Sequence, residues 1–269
     1  MKAFSWADAP HGAIVADGKR LEAAAYGPPP DQAPTLVLLH EGLGCVALWR
    51  DFPEKLARAT GFGVFAYSRA GYGHSDPVDL PRPLDYMTRE ARMSLPAVLG
   101  AIGFREGVLV GHSNGASIAI VYAGDRNDER VRGLALMAPH VFAEPPGLAS
   151  ILEAKHAYEA GDLKARLAKY HAHVDCAFRG WNDAWLGPNF ETWNIESFVD
   201  AWRAPALLIQ GADDQYGTLE QIRAIERHSP APIETLILDD CRHSPQFDQP
   251  EATLEAITKF CASLVRRAR

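Results

Sequence analysis

The chain has 269 residues, 47% hydrophobic and 23% charged, a globular composition that argues against disorder, collagen-like repeats and coiled coil. Its net charge of −7 argues against a nucleic-acid partner, because phosphate contacts need concentrated Lys and Arg; the basic cluster Arg266, Arg267 and Arg269 reads as a solvated helix end. No run approaches about eighteen consecutive apolar residues, so no membrane-spanning helix is expected.

The first eight residues reach Asp8 without a long apolar run and do not read as a secretory signal. Residues 13–16 and 21–26 then predict an opening hairpin around Asp17-Gly18. Apolar runs at 35–39, 63–66, 107–110, 134–137, 206–209 and 235–238 predict strands, several of them covered on both faces. Helical patterns fall between or after them at 48–59, 86–102, 114–124, 219–227 and 251–267, and Pro96 should kink or break the second. Such alternation predicts an α/β fold, a mostly parallel central sheet flanked by helices. Cys45, Cys176, Cys241 and Cys261 are scattered without a CxxC pair and read as reduced thiols of a cytoplasmic protein.

Residues 140–201 depart from the alternation. They hold helical stretches at 148–160 and 163–173 and a cluster of Phe178, Trp181, Trp185, Phe190 and Trp193, with no convincing buried strand. The expected organisation is a core of 1–139 and 202–269 interrupted by a helical cap at 140–201. The aromatics either face a site or pack the insertion's own small core.

The strongest local signal is Gly111-His112-Ser113-Asn114-Gly115, a G-x-S-x-G between the strand at 107–110 and a helical run. Three fixed positions at about 7% each, over about 265 windows, give roughly one chance match in ten chains, so the strand–turn–helix setting carries the weight. A nucleophilic serine needs a base and an orienting carboxylate. His243 follows the strand at 235–238, and Asp214 follows the strand at 206–209; Asp213 is its adjacent competitor. Both lie past the C-terminal ends of late strands, where open α/β sheets place their sites. The turn His40-Glu41-Gly42-Leu43-Gly44 supplies a second backbone donor, so the N–H groups of Gly42 and Asn114 are the expected oxyanion hole.

With HEGLG at 40–44, YSRAGYGHSD at 67–76, GHSNG at 111–115, LLIQGADD at 207–214 and CRHSPQFDQPE at 241–251, the chain resembles the α/β-hydrolase fold family over nearly its whole length. The resemblance implies a Ser113–His243–Asp214 triad, an oxyanion hole from the 40–44 turn and Asn114, and the helical cap. Relatives that open epoxides or remove halide carry aspartate where Ser113 stands, so those reactions are disfavoured. Two positions depart from the family pattern: Glu41 stands where Gly usually follows His, and Arg242 where Gly commonly precedes the base. A carboxylate facing a developing oxyanion opposes catalysis, so Glu41 must turn away or contact a polar substrate group.

The expected activity is a serine hydrolase acting on a carboxylic ester or thioester of a small organic acid, with no cofactor and no metal. Alternatives on the same scaffold are carbon–carbon bond hydrolysis of a ring-cleavage product, acyl transfer, and a ligand receptor with little turnover. Trp181, Trp185, Trp193 and Tyr216 are the expected apolar substrate contacts, Glu41 and His140 the polar ones. Gly71-Tyr72-Gly73 lacks a third glycine at dinucleotide-binding spacing and reads as a turn, and His171-x-His173-x-Asp175 lacks a second cluster for a metal.

Overall fold

The computed structural model describes residues 4–6 and 11–267, the side chains of 266 and 267 excepted. Of the basic cluster, Arg269 and the side chains of Arg266 and Arg267 lie outside the described residues, as does most of the N-terminal stretch read against a secretory signal. Strands β1 (His11–Ala16) and β2 (Lys19–Tyr26) form the expected hairpin, with Asp17 at φ 50° and Gly18 at φ 68°. Positive φ at both central residues gives the turn whose twist suits antiparallel strands.

Strands β3 (Thr35–Leu39), β4 (Gly63–Tyr67), β5 (Gly107–His112), β6 (Val131–Met137) and β7 (Ala206–Gly211) are almost entirely buried, and β8 (Ile233–Leu238) closes the edge. Among the described residues they make one eight-stranded sheet in the order β1-β2-β4-β3-β5-β6-β7-β8. Pairing is antiparallel at β1·β2 and β2·β4 and parallel elsewhere. The chain runs from β3 outward to β4, then returns across β3 to β5. That reversal opens a crevice at the C-terminal ends of β3 and β5, where α/β sheets bind ligands.

Side-chain alternation lets each strand serve two cores. Leu36, Leu38, Val64, Ala66, Val108 and Val110 pack under helix α1 (Phe52–Thr60) and the last helix of the chain, meeting Leu56, Ile257 and Phe260. On the other face, Val37, Leu39, Phe65 and Leu109 meet α2 (Tyr86–Arg89), α3 (Leu95–Ala101) and α4 (Asn114–Arg126). The break predicted at Pro96 is a π-helical turn, Glu90–Ser94, set between α2 and α3. Proline has no N–H to return to the carbonyl four residues back. That carbonyl, of Arg92, accepts from Arg126 Nη2 at 2.8 Å instead.

Between β6 and β7 lie α5 (Pro145–Ala160), α6 (Leu163–Leu167), α7 (Val174–Trp185) and α8 (Glu196–Val199). The helix expected over 163–173 ends at Leu167, because the His171 ring is drawn to the sheet: Nδ1 accepts from Gly73 N–H at 2.9 Å and Nε2 meets the Leu43 carbonyl at 3.0 Å. A separate helix, α7, then carries Phe178, Trp181 and Trp185. The excursion is zipped at its ends by Ile195 N–H to Val141 O (2.7 Å) and Ala143 N–H to Trp193 O (3.1 Å). Beyond that closure, α8 packs on α4 beside the sheet. After β7 come α9 (Leu219–His228), α10 (Pro245–Asp248) and α11 (Pro250–Arg267). No helix among the described residues is long and apolar enough to cross a membrane.

Two helical glycines should respond oppositely to alanine. Gly100 in α3 is exposed, and a Cβ there meets nothing within 4 Å, whereas a Cβ on Gly124 in α4 would collide with the Phe198 carbonyl. Gly100→Ala should raise unfolding free energy by about 0.5–1 kcal/mol. Gly124→Ala should lower it by about 1–3 kcal/mol through overpacking. Urea denaturation of the two variants beside wild type checks both signs.

Candidate active site

β5 ends at His112 and α4 begins at Asn114, which leaves Ser113 alone on the turn at φ 52° and ψ −117°. A non-glycine residue held there stores strain of about 1–3 kcal/mol. Its neighbours have no room for side chains. A Cβ on Gly111 would collide with the backbone at Gly115 and Ala116, and one on Gly115 with the Leu39 carbonyl. The elbow is thus pressed against the end of β3 and the 40–44 turn that follows.

That turn is held from beneath. His40 Nδ1–H donates to Glu41 O (2.7 Å), and His40 Nε2 accepts from Arg69 N–H (3.1 Å), which settles the tautomer. Burial, then the Arg69 charge, keeps the His40 imidazole well below its ordinary range. The buried Arg69 guanidinium donates to the carbonyls of His40 and Glu41. Gly42 cannot carry a side chain, because Trp181 of α7 lies against its Cα. The backbone of Gly42 and Asn114 therefore borders one cavity with Ser113 and His243.

Glu41 points its Oε2 to within 3.5 Å of His112 Nδ1, and 28% of its side chain stays exposed. Burial pushes its carboxyl up, but the hydrogen bond and charge of His112, with help from Arg69, outweigh that and hold it below the usual range. His112 Nε2–H donates to the His243 carbonyl (2.7 Å), and Gln246 Nε2 reaches Nδ1 at 3.2 Å. Glu41, the residue the family pattern does not predict, thereby joins the 40–44 turn to the loop of His243.

His243 Nδ1–H donates to both Asp214 oxygens at 2.9 Å. Asp214 also accepts from Tyr216 N–H (2.8 Å), Gly217 N–H (3.3 Å) and Gln210 Nε2 (2.8 Å). Burial raises the Asp214 carboxyl, and the His243 charge and hydrogen bond with these backbone donors outweigh it, leaving a net lowering. Asp213 is exposed and uses its N–H on Cys241 O. Arg242 is also exposed, its N–H held by Asp248, and is absent from the cavity wall. Ser113 and His243 share the cavity without a hydrogen bond between them.

The cavity measures about 190 Å³. Of the expected substrate contacts, Glu41, His140, Trp181, Trp185 and Tyr216 line it, joined by Leu43 and Ile151, which sequence reasoning did not single out. Trp193 does not; it sits behind Trp185, ring centroids 5.7 Å apart, stacked on Phe190. Tyr86 was also missed: its hydroxyl accepts from Trp185 Nε1 (3.1 Å) and bonds the Asn114 amide, tying α7 to the elbow. Nothing in its sequence context marks it. Burial pushes the Cys45 thiol up to about 12, so it is a packed neighbour of the turn rather than a nucleophile. Among the described residues no group of three or more His, Cys, Asp or Glu is gathered to hold a metal ion.

A sequence profile described as alpha/beta hydrolase fold matches residues 34–178. Epoxide hydrolase B of Mycobacterium tuberculosis is 33% identical over 113 residues, which is 42% of this chain and 31% of that protein, so the match spans under a third of the relative's length. A carboxylesterase structure from Nitrososphaera gargenis superposes with a TM-score of 0.76 at 16% identity, covering 96% of this chain and 100% of that one. A thermophilic esterase from Thermogutta terrifontis gives 0.72 at 19% identity, covering 95% and 99%. At such identities the structural likeness speaks to the fold.

Because the folded protein lowers the Glu41 carboxyl below its unfolded value, Glu41 adds stability above that unfolded value, about 4.3. The contribution is lost as pH falls through the lower folded value. Glu41→Gln should therefore be less stable than wild type near pH 6, and the margin should close below about pH 4. Urea midpoints across that range check it; a margin that widens in acid would contradict it.

Proposed function

The chain belongs to the alpha/beta hydrolase fold family, and from that premise we propose that it is a serine hydrolase cleaving a carboxylic ester or thioester of a small organic acid. The observation that carries the reading is Ser113 held at φ 52° on the strand-to-helix elbow, facing the same cavity as an imidazole whose Nδ1–H is bound by a buried carboxylate. With Nδ1 protonated toward Asp214, His243 keeps Nε2 as the basic nitrogen.

Ser113 Oγ attacks the carbonyl carbon while His243 Nε2 takes its proton, and Asp214 stabilises the imidazolium. The carbonyl oxygen becomes an oxyanion that accepts from the N–H groups of Gly42 and Asn114 at the positive end of α4. Collapse expels the alcohol or thiol, which receives the proton from His243. Water then repeats the sequence on the acyl-enzyme, returning the acid and free Ser113. The helices between β6 and β7 act as a cap that shields this chemistry from bulk water.

The epoxide hydrolase relative does not redirect the reading. A serine opening an epoxide forms an alkyl ether, which has no carbonyl for water to attack, so turnover would stop after one event. Carboxylesters leave an acyl-serine that the same oxyanion hole can resolve. Esterases among the structural neighbours add support of the fold-level kind.

The test is a p-nitrophenyl ester series from acetate to dodecanoate. Wild type should turn over the short chains, and Ser113→Ala should lose about 10⁴–10⁶ in kcat. A Ser113→Ala protein with near wild-type turnover would overturn the assignment.

A further inference from the structure

The cavity beside Ser113 is small, and its largely apolar wall carries a few polar side chains among the rings. An apolar cavity of about 150 Å³ holds one benzene, so about 190 Å³ takes a single ring with one or two further atoms. Most polar side chains on its wall are already engaged. Ser113 and His243 belong to the proposed chemistry, Glu41 to His112, and the Asn114 amide nitrogen to Tyr86, while Asn114 Oδ1 is buried without a partner. The Trp181 indole N–H lies against Gly42, on the side of the oxyanion hole.

The His140 ring is a second group on this wall with no hydrogen bond of its own. It is 97% buried by its 3% exposure, yet neither ring nitrogen has a hydrogen-bond partner among the described residues. Its fixed bond is made through its backbone, whose carbonyl accepts from Ser117 Oγ at 2.7 Å. The ring stands between Trp185 and His243, centroids 5.5 and 5.7 Å away, and one edge rests on Gly217. A buried polar group without a partner destabilises the fold, so such a group bordering a cavity marks a place for a ligand's polar atom.

We infer that His140 is a specificity-determining residue, and that the acyl group taken by this cavity is compact and bears a hydroxyl that hydrogen-bonds the His140 ring. The inference rests on the acyl-enzyme reading above and adds the substrate class to it. Burial, then the nearby His243 charge, pushes the His140 imidazole down to about 3, so the ring stays neutral with one donor and one acceptor nitrogen. A hydroxyl can satisfy either nitrogen, whereas an ether oxygen can only accept from the N–H and has no proton for the other nitrogen. A carboxylate substituent is disfavoured, because Glu41 already places negative charge on the same wall.

The experiment separates binding from turnover. In Ser113→Ala, dissociation constants of methyl benzoate and its three monohydroxy isomers are read from quenching of tryptophan fluorescence. At least one isomer should bind about tenfold or more tighter than methyl benzoate. Adding His140→Phe should bring that ratio to about one, and adding His140→Gln, which keeps a donor and an acceptor, should retain part of it. No preferred isomer, or a preference that survives His140→Phe in a protein with an unchanged melting profile, overturns the role of His140. Should His140→Phe fail to fold, the ratio in His140→Leu decides in the same way. Absence of Ser113-dependent hydrolysis of both p-nitrophenyl esters and the thioesters of the same acids instead refutes the hydrolytic reading and leaves the hydroxyl-binding subsite standing.

Discussion

The arrangement depends on one close approach: the elbow at Ser113 lies so near the end of β3 that Gly115 cannot bear a side chain, while the first turn of α4 leaves none at Gly111. β3 and β5 are adjacent parallel strands, paired from Thr35·Gly107 to Leu39·Gly111. Contact between their C-terminal ends brings Asn114 N–H beside the turn that carries Gly42. Gly42 and Asn114, far apart in sequence, thereby border one cavity. The strain at Ser113 is the local cost of that approach, and the buried strands on either side are what hold it.

Around this contact the loops are cross-braced by buried polar side chains rather than by apolar packing alone. Arg69 holds the His40 and Glu41 carbonyls, and His171 reaches from the β6–β7 helices to the Leu43 carbonyl. Arg82 is 9% exposed and stands 3.5 Å from Glu90, with its guanidinium over the rings of Tyr72 and Tyr86. Burying charge is tolerated where it is paired and hydrogen-bonded. Such groups have few alternative partners, so they define where a loop sits more narrowly than interchangeable methyl groups would. The geometry of a site built on five separate loops needs that narrowness.

Much of this was legible in the chain. The strands were, because runs such as Thr35–Leu39 are apolar on both faces and only a doubly covered sheet buries them. The hairpin at Asp17-Gly18 and the interruption at Pro96 were legible because each rests on local backbone chemistry. The elbow was legible from glycine spacing. The helices between β6 and β7 were read less well. Phe178, Trp181 and Trp185 do recur at helical spacing, a signal for α7 that went unused, while the overrun past Leu167 reflects a side chain, His171, recruited by residues about a hundred positions away. Depth is a tertiary property, so nothing local separates Trp185, on the cavity wall, from Trp193 behind it.

Glu41 shows how a departure from a family pattern can be absorbed. A carboxylate one residue before Gly42 would oppose an oxyanion if it were free to face it. Gly44 leaves room for the side chain to fold back, since a Cβ there would collide with the carboxylate itself. His112 receives it, and the other nitrogen of the same ring holds the His243 carbonyl. The added charge is thereby tied, through His112, to the loop that carries His243. A feature that would be harmful as an isolated substitution is coherent with its neighbours, because the glycine, the histidine and the acid act as one unit.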